Sequence, residues 1–135
     1  MRLKTLTYTS RARLDLADEE LAEIHQTARH LNALDGISGL LLFDGSRFLQ
    51  IVEGTEDAID NLVERLRMDP RHSAFEVRDE RLVERRSFPD WSMEILRVSA
   101  GYGIATEEVA AMLPATVAAP VRELVIRMTG QLAEA

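Results

Sequence analysis

Residues 36–54, GISGLLLFDGSRFLQIVEG, constrain the fold more than any other stretch of the chain. Two apolar runs flank Asp44 and Gly45, a pair suited to the tight turn between antiparallel strands because both residues tolerate positive φ. Side chains alternate across a strand. Phe48, Gln50 and Val52 therefore share one face, and Leu49 and Ile51 the other. With Leu40 and Leu42 on the neighbouring strand, both faces are apolar, so the sheet must be covered on both sides. Gln50 stands out because its amide lies on a face that reads as buried. Without partners, burial of such a group costs about 1–3 kcal/mol.

The rest of the chain supplies the cover. Residues 3–10, rich in Thr, Leu and Tyr, read as a first strand. Asp18 has the character of an N-cap, and Leu21, Ile24, Ala28 and Leu31 follow at helical spacing until Gly36. Gly54 and Thr55 open a second helix, with Glu56 and Asp57 in its first turn and Ala58, Leu62 and Leu66 as its stripe; Pro70 marks its end. AFEVRDERLVERR reads as an irregular, solvated strand and WSMEILRV as a fifth strand. The tail beyond Gly101 is Ala-rich and helical, broken by Pro114 and Pro120. The order βαββαββ plus a tail predicts an α+β, ferredoxin-like sandwich with two helices on one sheet face. The first and third strands are expected to be adjacent, central and parallel. Val117, Val121, Leu124 and Met128 fall on one side of the tail and suit the second face, with Leu96 and Val98 also beneath it, or else a partner subunit. The expected division is a domain over 1–100 and a helical extension over 101–135.

Composition excludes several classes of function. With 135 residues, 46% of them hydrophobic, one packed domain is expected. A formal net charge of -7 argues against a nucleic-acid or anionic-membrane surface. The absence of cysteine excludes disulfides, Cys-based zinc sites and Cys nucleophiles. No signal peptide and no run of spanning length is present, so a cytoplasmic location is expected.

Strand parity gathers the polar residues. Leu6, Tyr8 and Ser10 share one face of the first strand; Trp91, Met93 and Ile95 share one face of the fifth. If the two central strands turn these faces to the helices, Tyr8 lies close to Gln50, and a phenol donates well to an amide oxygen. Asn32 falls near the end of the first helix. Asn61, Arg65 and Asp69 recur at four-residue intervals along the second. Each has an ordinary explanation: Tyr8 as a core tyrosine, Trp91 and Met93 as core packing, Asn61 as a solvated helix residue and Asn32 as a helix-end polar group. Gln50 has none.

The chain resembles the BLUF family, sensors of blue light that use FAD. The resemblance rests on YTS (Tyr8, Ser10), LNALDGISGLLLFD (Asn32, Gly36, Gly39) and RFLQIVEG (Gln50, Glu53, Gly54). MDPRH (Asp69, His72) and RRSFPDWSM (Arg86, Phe88, Trp91, Met93) complete it. It implies a ferredoxin-like fold with the flavin between the two helices. It also implies that Asn32 binds the pyrimidine edge and that Arg65 and Asp69 lie at the polar rim. Tyr8 and Gln50 would be the photoactive pair, with Ser10, Trp91 and Met93 around the glutamine. Leu31 departs from the family, where another polar residue is common. FAD is the implied cofactor, and FMN or riboflavin shares the ring that the pocket reads.

The implied mechanism is electron and proton transfer from Tyr8, through Gln50, to excited flavin, leaving the glutamine rotated or tautomerised. No covalent adduct is involved, in keeping with the missing cysteine. The output would be altered binding of a protein partner, with self-association expected and no catalytic activity. The alternative is a ferredoxin-like interaction or oligomerisation module without flavin. An acylphosphatase-type hydrolase shares the architecture, but TSRAR after the first strand is a weak anion loop without a convincing partner.

Overall fold

The computed structural model describes residues 2–12, 19–20, 22–24, 26, 36–43, 47–70, 72–87, 94–99, 102–103 and 113–134. In chain order these form β1 (Leu3–Ala12), β2 (Ser38–Phe43), β3 (Arg47–Thr55), α1 (Glu56–Met68), β4 (His72–Val83), β5 (Glu94–Ser99), β6 (Tyr102–Gly103) and α2 (Ala119–Glu134). Helical backbone also occurs at 19–20, 22–24 and 26, between β1 and β2. The remainder of that expected helix, with Asp18, Leu21, Ala28 and Leu31, lies outside the described residues, as does the Asp44 and Gly45 turn.

The strands form one sheet in the order β4-β1-β3-β2-β5-β6. The architecture is the ferredoxin-like α+β sandwich. β1 and β3 are central neighbours as expected, but they pair antiparallel, with Leu3 opposite Thr55 and Tyr8 opposite Gln50. The correction follows from the hairpin. β2 and β3 are antiparallel, so a β2 that runs with β1 forces β3 to run against it. Each crossover then joins two parallel strands with a third strand between them, the split βαβ arrangement. β5 adds parallel to β2. β6, a two-residue strand, was not legible in the sequence.

The two faces have separate cores. On one face Leu6, Tyr8, Leu41, Phe43, Phe48 and Val52 meet Ile59 and Leu62 of α1, with Ile24 packed at the margin. Thr55 caps α1, its hydroxyl accepting from the Ala58 N–H at 3.3 Å. Lys4 fixes this helix to the sheet by donating to Asp60 at 2.8 Å and to Glu80 of β4 at 2.7 Å. On the other face Leu40, Leu42, Leu49 and Ile51 lie under Leu113, Val117, Val121 and Val125. Each fully buried aliphatic side chain contributes about 1.5–3 kcal/mol. Four of them from the C-terminal segment hold it on the sheet against the entropy of ordering it.

Two details of the tail differ from expectation. Pro120 does not break the helix but sits in its first turn, where a missing N–H and a fixed φ are harmless. Val125, rather than Leu124, is the fully buried position; Leu124 is half-buried. The side chains of Met128, Leu96 and Val98 lie outside the described residues. Gly39 is required by a close backbone approach, because a Cβ there would lie 1.9 Å from the Ile51 carbonyl oxygen.

Candidate functional site

The site is built on the two central strands. Register pairs Tyr8 with Gln50 directly across β1 and β3, so both side chains leave the sheet on the helix side. Tyr8 and Gln50 are each 3% exposed. The Tyr8 hydroxyl donates to Gln50 Oε1 at 2.5 Å. One lone pair of the amide oxygen is therefore taken by a neutral donor held in the core. The amide nitrogen carries two donor hydrogens, and rotation of the amide exchanges the positions of donor and acceptor.

Burial is the main reason the Tyr8 phenol is pushed well above its ordinary value, with the Asp69 carboxylate adding to it. Both effects oppose a phenolate, so Tyr8 holds its proton throughout the physiological range. Asp69 is the C-cap of α1. The end of that helix therefore brings a carboxylate within electrostatic reach of the phenol. Ser10 is buried on the same side of β1, opposite Phe48. Arg65 lies exposed on α1, one turn before Asp69, and Asn61 lies exposed one turn before that.

Asn32, Trp91 and Met93 lie outside the described residues, as does the departure at Leu31. β5 is described only from Glu94 onward.

Other participants escaped the sequence reading. Phe75 of β4 stacks on Tyr8, with ring centroids 4.6 Å apart and planes inclined by 29°. The alternation Phe75, Val77 and Asp79 was the available signal, hidden by the charges between them. On the opposite sheet face Glu53 is 1% exposed, and its Oε2 accepts the Ser87 N–H at 3.0 Å. The Arg86 guanidinium donates to the Glu53 carbonyl at 3.0 Å and to Ser38 Oγ at 2.9 Å. Thr116 Oγ1 donates to Ser87 Oγ at 2.9 Å. Glu53 and Arg86 belong to the quoted motifs, but their family resemblance did not reveal these contacts.

A buried phenol–amide pair facing the helices is the feature to compare with known proteins. The family model "Sensors of blue-light using FAD" matches residues 3–94. The chain belongs to the BLUF family. It is similar to the photoactivated adenylate cyclase subunit beta of Euglena gracilis, with 35% identity over 113 residues, covering 83% of this chain and 12% of that protein. It is also 36% identical over 70 residues to the blue light- and temperature-regulated antirepressor BluF of Escherichia coli strain K12, covering 52% of this chain and 17% of the relative. The chain thus spans only a small part of these curated relatives. The dark-state structure of BlrB, a BLUF protein, superposes with a TM-score of 0.73 at 33% identity, covering 97% of this chain and 98% of that one.

Family membership makes this chain a flavin-based blue-light sensor, and it favours that reading over a flavin-free interaction module. The BLUF domain itself is a sensor rather than a catalyst, although relatives such as the Euglena cyclase carry enzymatic names. Among the described residues no helix is long and apolar enough to cross a membrane.

Proposed function

We propose that this BLUF domain binds FAD without a covalent bond and reports blue light through a hydrogen-bond switch at Gln50. The observation that carries this reading is the buried Tyr8–Gln50 hydrogen bond on the helix side of the sheet. The polar groups present suit a flavin ring: an amide in the core, a phenol behind it, Arg65 in the last turn of α1 and Asp69 at its C-cap. Gln50 would face flavin N5 and O4, Arg65 and Asp69 the polar rim, and Asn32 the pyrimidine edge. FMN and riboflavin share that ring, so the preference for FAD rests on the family.

When bound, the flavin supplies blue-light absorption and, once excited, a strong oxidant. Tyr8 would be the electron donor to it. An oxidised phenol is a strong acid, and the hydroxyl proton already points at Gln50 Oε1, so Gln50 would be the group that takes that proton. With electron and proton returned, Tyr8 would be unchanged and Gln50 would be left with its donor and acceptor ends redistributed, by rotation or by tautomerisation. Ser10, Trp91 and Met93 are the residues proposed to hold Gln50 in one state or the other.

The output runs to the C-terminal extension, residues 101–135, outside a flavin-binding unit over 1–100. Gln50 and Glu53 lie on the same strand with side chains on opposite faces. The Glu53–Ser87–Thr116 hydrogen bonds join that strand to the tail. A change at Gln50 can therefore reach the tail through β3 as well as through β5. A light-dependent change in binding to a protein partner, with self-association through the same surface, is the proposed result.

Absorbance in darkness and after blue light tests the reading. Flavin-loaded protein should show a reversible red shift. Tyr8→Phe and Gln50→Ala should each retain flavin and lose the shift. A colourless protein that cannot be loaded, or a normal photocycle in either variant, refutes it.

A further inference from the structure

β4 is an edge strand, and it is irregular beside Tyr8. Its pairing with β1 slips between Thr9 and Arg11, so Ala74 and Phe75 together stand opposite Ser10. Ala74 takes a φ of 53°, the left-handed region that non-glycine residues seldom occupy. On the Tyr8 side of this slip the register is regular, with Val77 opposite Tyr8 and Glu76 opposite Thr9. Phe75 therefore follows on the Tyr8 face, its ring lies over Tyr8, and the bulge at Ala74 ends the regular pairing directly beyond it. The Arg67 guanidinium, from the last turn of α1, lies 4.8 Å from the centre of the Phe75 ring. The order outward from the sheet centre is therefore Gln50, Tyr8, Phe75, Arg67.

We propose that Phe75 is a positioning residue for the photoactive tyrosine: it closes the sheet edge over the Tyr8 ring and keeps water from the Tyr8–Gln50 hydrogen bond, with Arg67 holding it in place. Stacking fixes the plane of the phenol, and that plane sets the direction of its hydroxyl. Tyr8 is 3% exposed although only one strand separates it from the edge. Phe75, half-buried, is a large apolar group on that side among the described residues. Of the charged groups around the pair, Asp69 acts on the phenol and Arg67 on the Phe75 ring. Loss of the ring would admit water to a hydrogen bond that the switch needs dry.

This inference deepens the photoreceptor reading and rests on it for its role in light, but its first test does not use flavin. In flavin-free protein with Tyr102→Phe, Tyr8 is the only tyrosine left. Its ionisation, followed by near-ultraviolet phenolate absorbance, should coincide with alkaline unfolding. Adding Phe75→Val, which keeps strand propensity, should make ionisation precede unfolding by about one pH unit or more. In flavin-loaded protein without the Tyr102 change, Phe75→Val should speed dark recovery several-fold and make it sensitive to imidazole. Phenolate appearing only with unfolding, or recovery unchanged in rate and buffer response, overturns the proposal. Should the valine variant not fold, Arg67→Ala, a surface change, decides by the same two measurements, with smaller shifts in the same directions. No red shift in the wild-type protein would sink the photoreceptor reading alone, since the flavin-free titration still judges Phe75.

Discussion

Glu53 is the most informative residue to alter away from the flavin site. Its side chain is 1% exposed and accepts the Ser87 N–H at 3.0 Å. A hydrogen bond to a charged group contributes about 1.5–3 kcal/mol. Truncation to alanine removes that bond and leaves space beneath the C-terminal segment. Against this, burial of a carboxylate is costly, and its removal returns part of that cost. The Arg86 guanidinium bonds to the Glu53 backbone and to Ser38, so this part of the clamp survives truncation. The net expectation for Glu53→Ala is a loss of about 1–3 kcal/mol. Glu53→Gln keeps the shape and one acceptor oxygen and should lose about half as much.

Urea unfolding followed by circular dichroism gives the two stability losses. Hydrogen exchange across residues 113–125 shows whether the tail loosens with them. In flavin-loaded protein the red shift should survive in Glu53→Ala, while any light-dependent change in tail exchange is reduced. If the alanine variant matches or exceeds wild-type stability and its tail exchanges no faster, desolvation has outweighed the bond. The proposed route from β3 to the tail would then fail.

Two further perturbations test the energetics. Among the described residues, Thr7 Oγ1 is buried without a hydrogen-bond partner; Thr7→Val should raise stability by about 0.5–1.5 kcal/mol in urea unfolding, and a loss of stability would show that the hydroxyl is satisfied. Burial, with Asp69 second, raises the Tyr8 phenol, and the Asp60 and Glu80 hydrogen bonds raise the Lys4 ammonium. Both groups keep their protons in the folded state after the unfolded chain has lost them. Their contribution is therefore complete below about pH 10 and falls as pH rises further, by up to about 1.4 kcal/mol per pH unit for each group. Tyr8→Phe should make this alkaline decline shallower, and an unchanged slope would contradict the burial of the phenol.

The meeting of Tyr8 and Gln50 was legible although the direction of their strands was not. Parity assigns a side chain to a face whichever way its strand runs, because alternation depends only on position along the chain. Adjacency came from the split βαβ order, which places β1 beside β3 in either orientation. Direction needed one further step, that a hairpin reverses the chain between β2 and β3. Phe75 and Glu53 could not be read in this way. Parity along β4 puts Phe75 and Val77 on one face, but the register slips on either side of them hide from the sequence which residues of β1 that face meets. Glu53 sits on the tail side of a strand, where a carboxylate reads as a mark of exposure; only the fold brings the Ser87 N–H to it. Regular alternation therefore encodes the phenol–amide pair. The groups that would keep the pair dry and carry its signal depend on the register of an irregular edge strand and on a contact between distant segments. A sequence can therefore retain Tyr8 and Gln50 while losing either property, and variants at Phe75 and Glu53 would separate the light response from its persistence and its output.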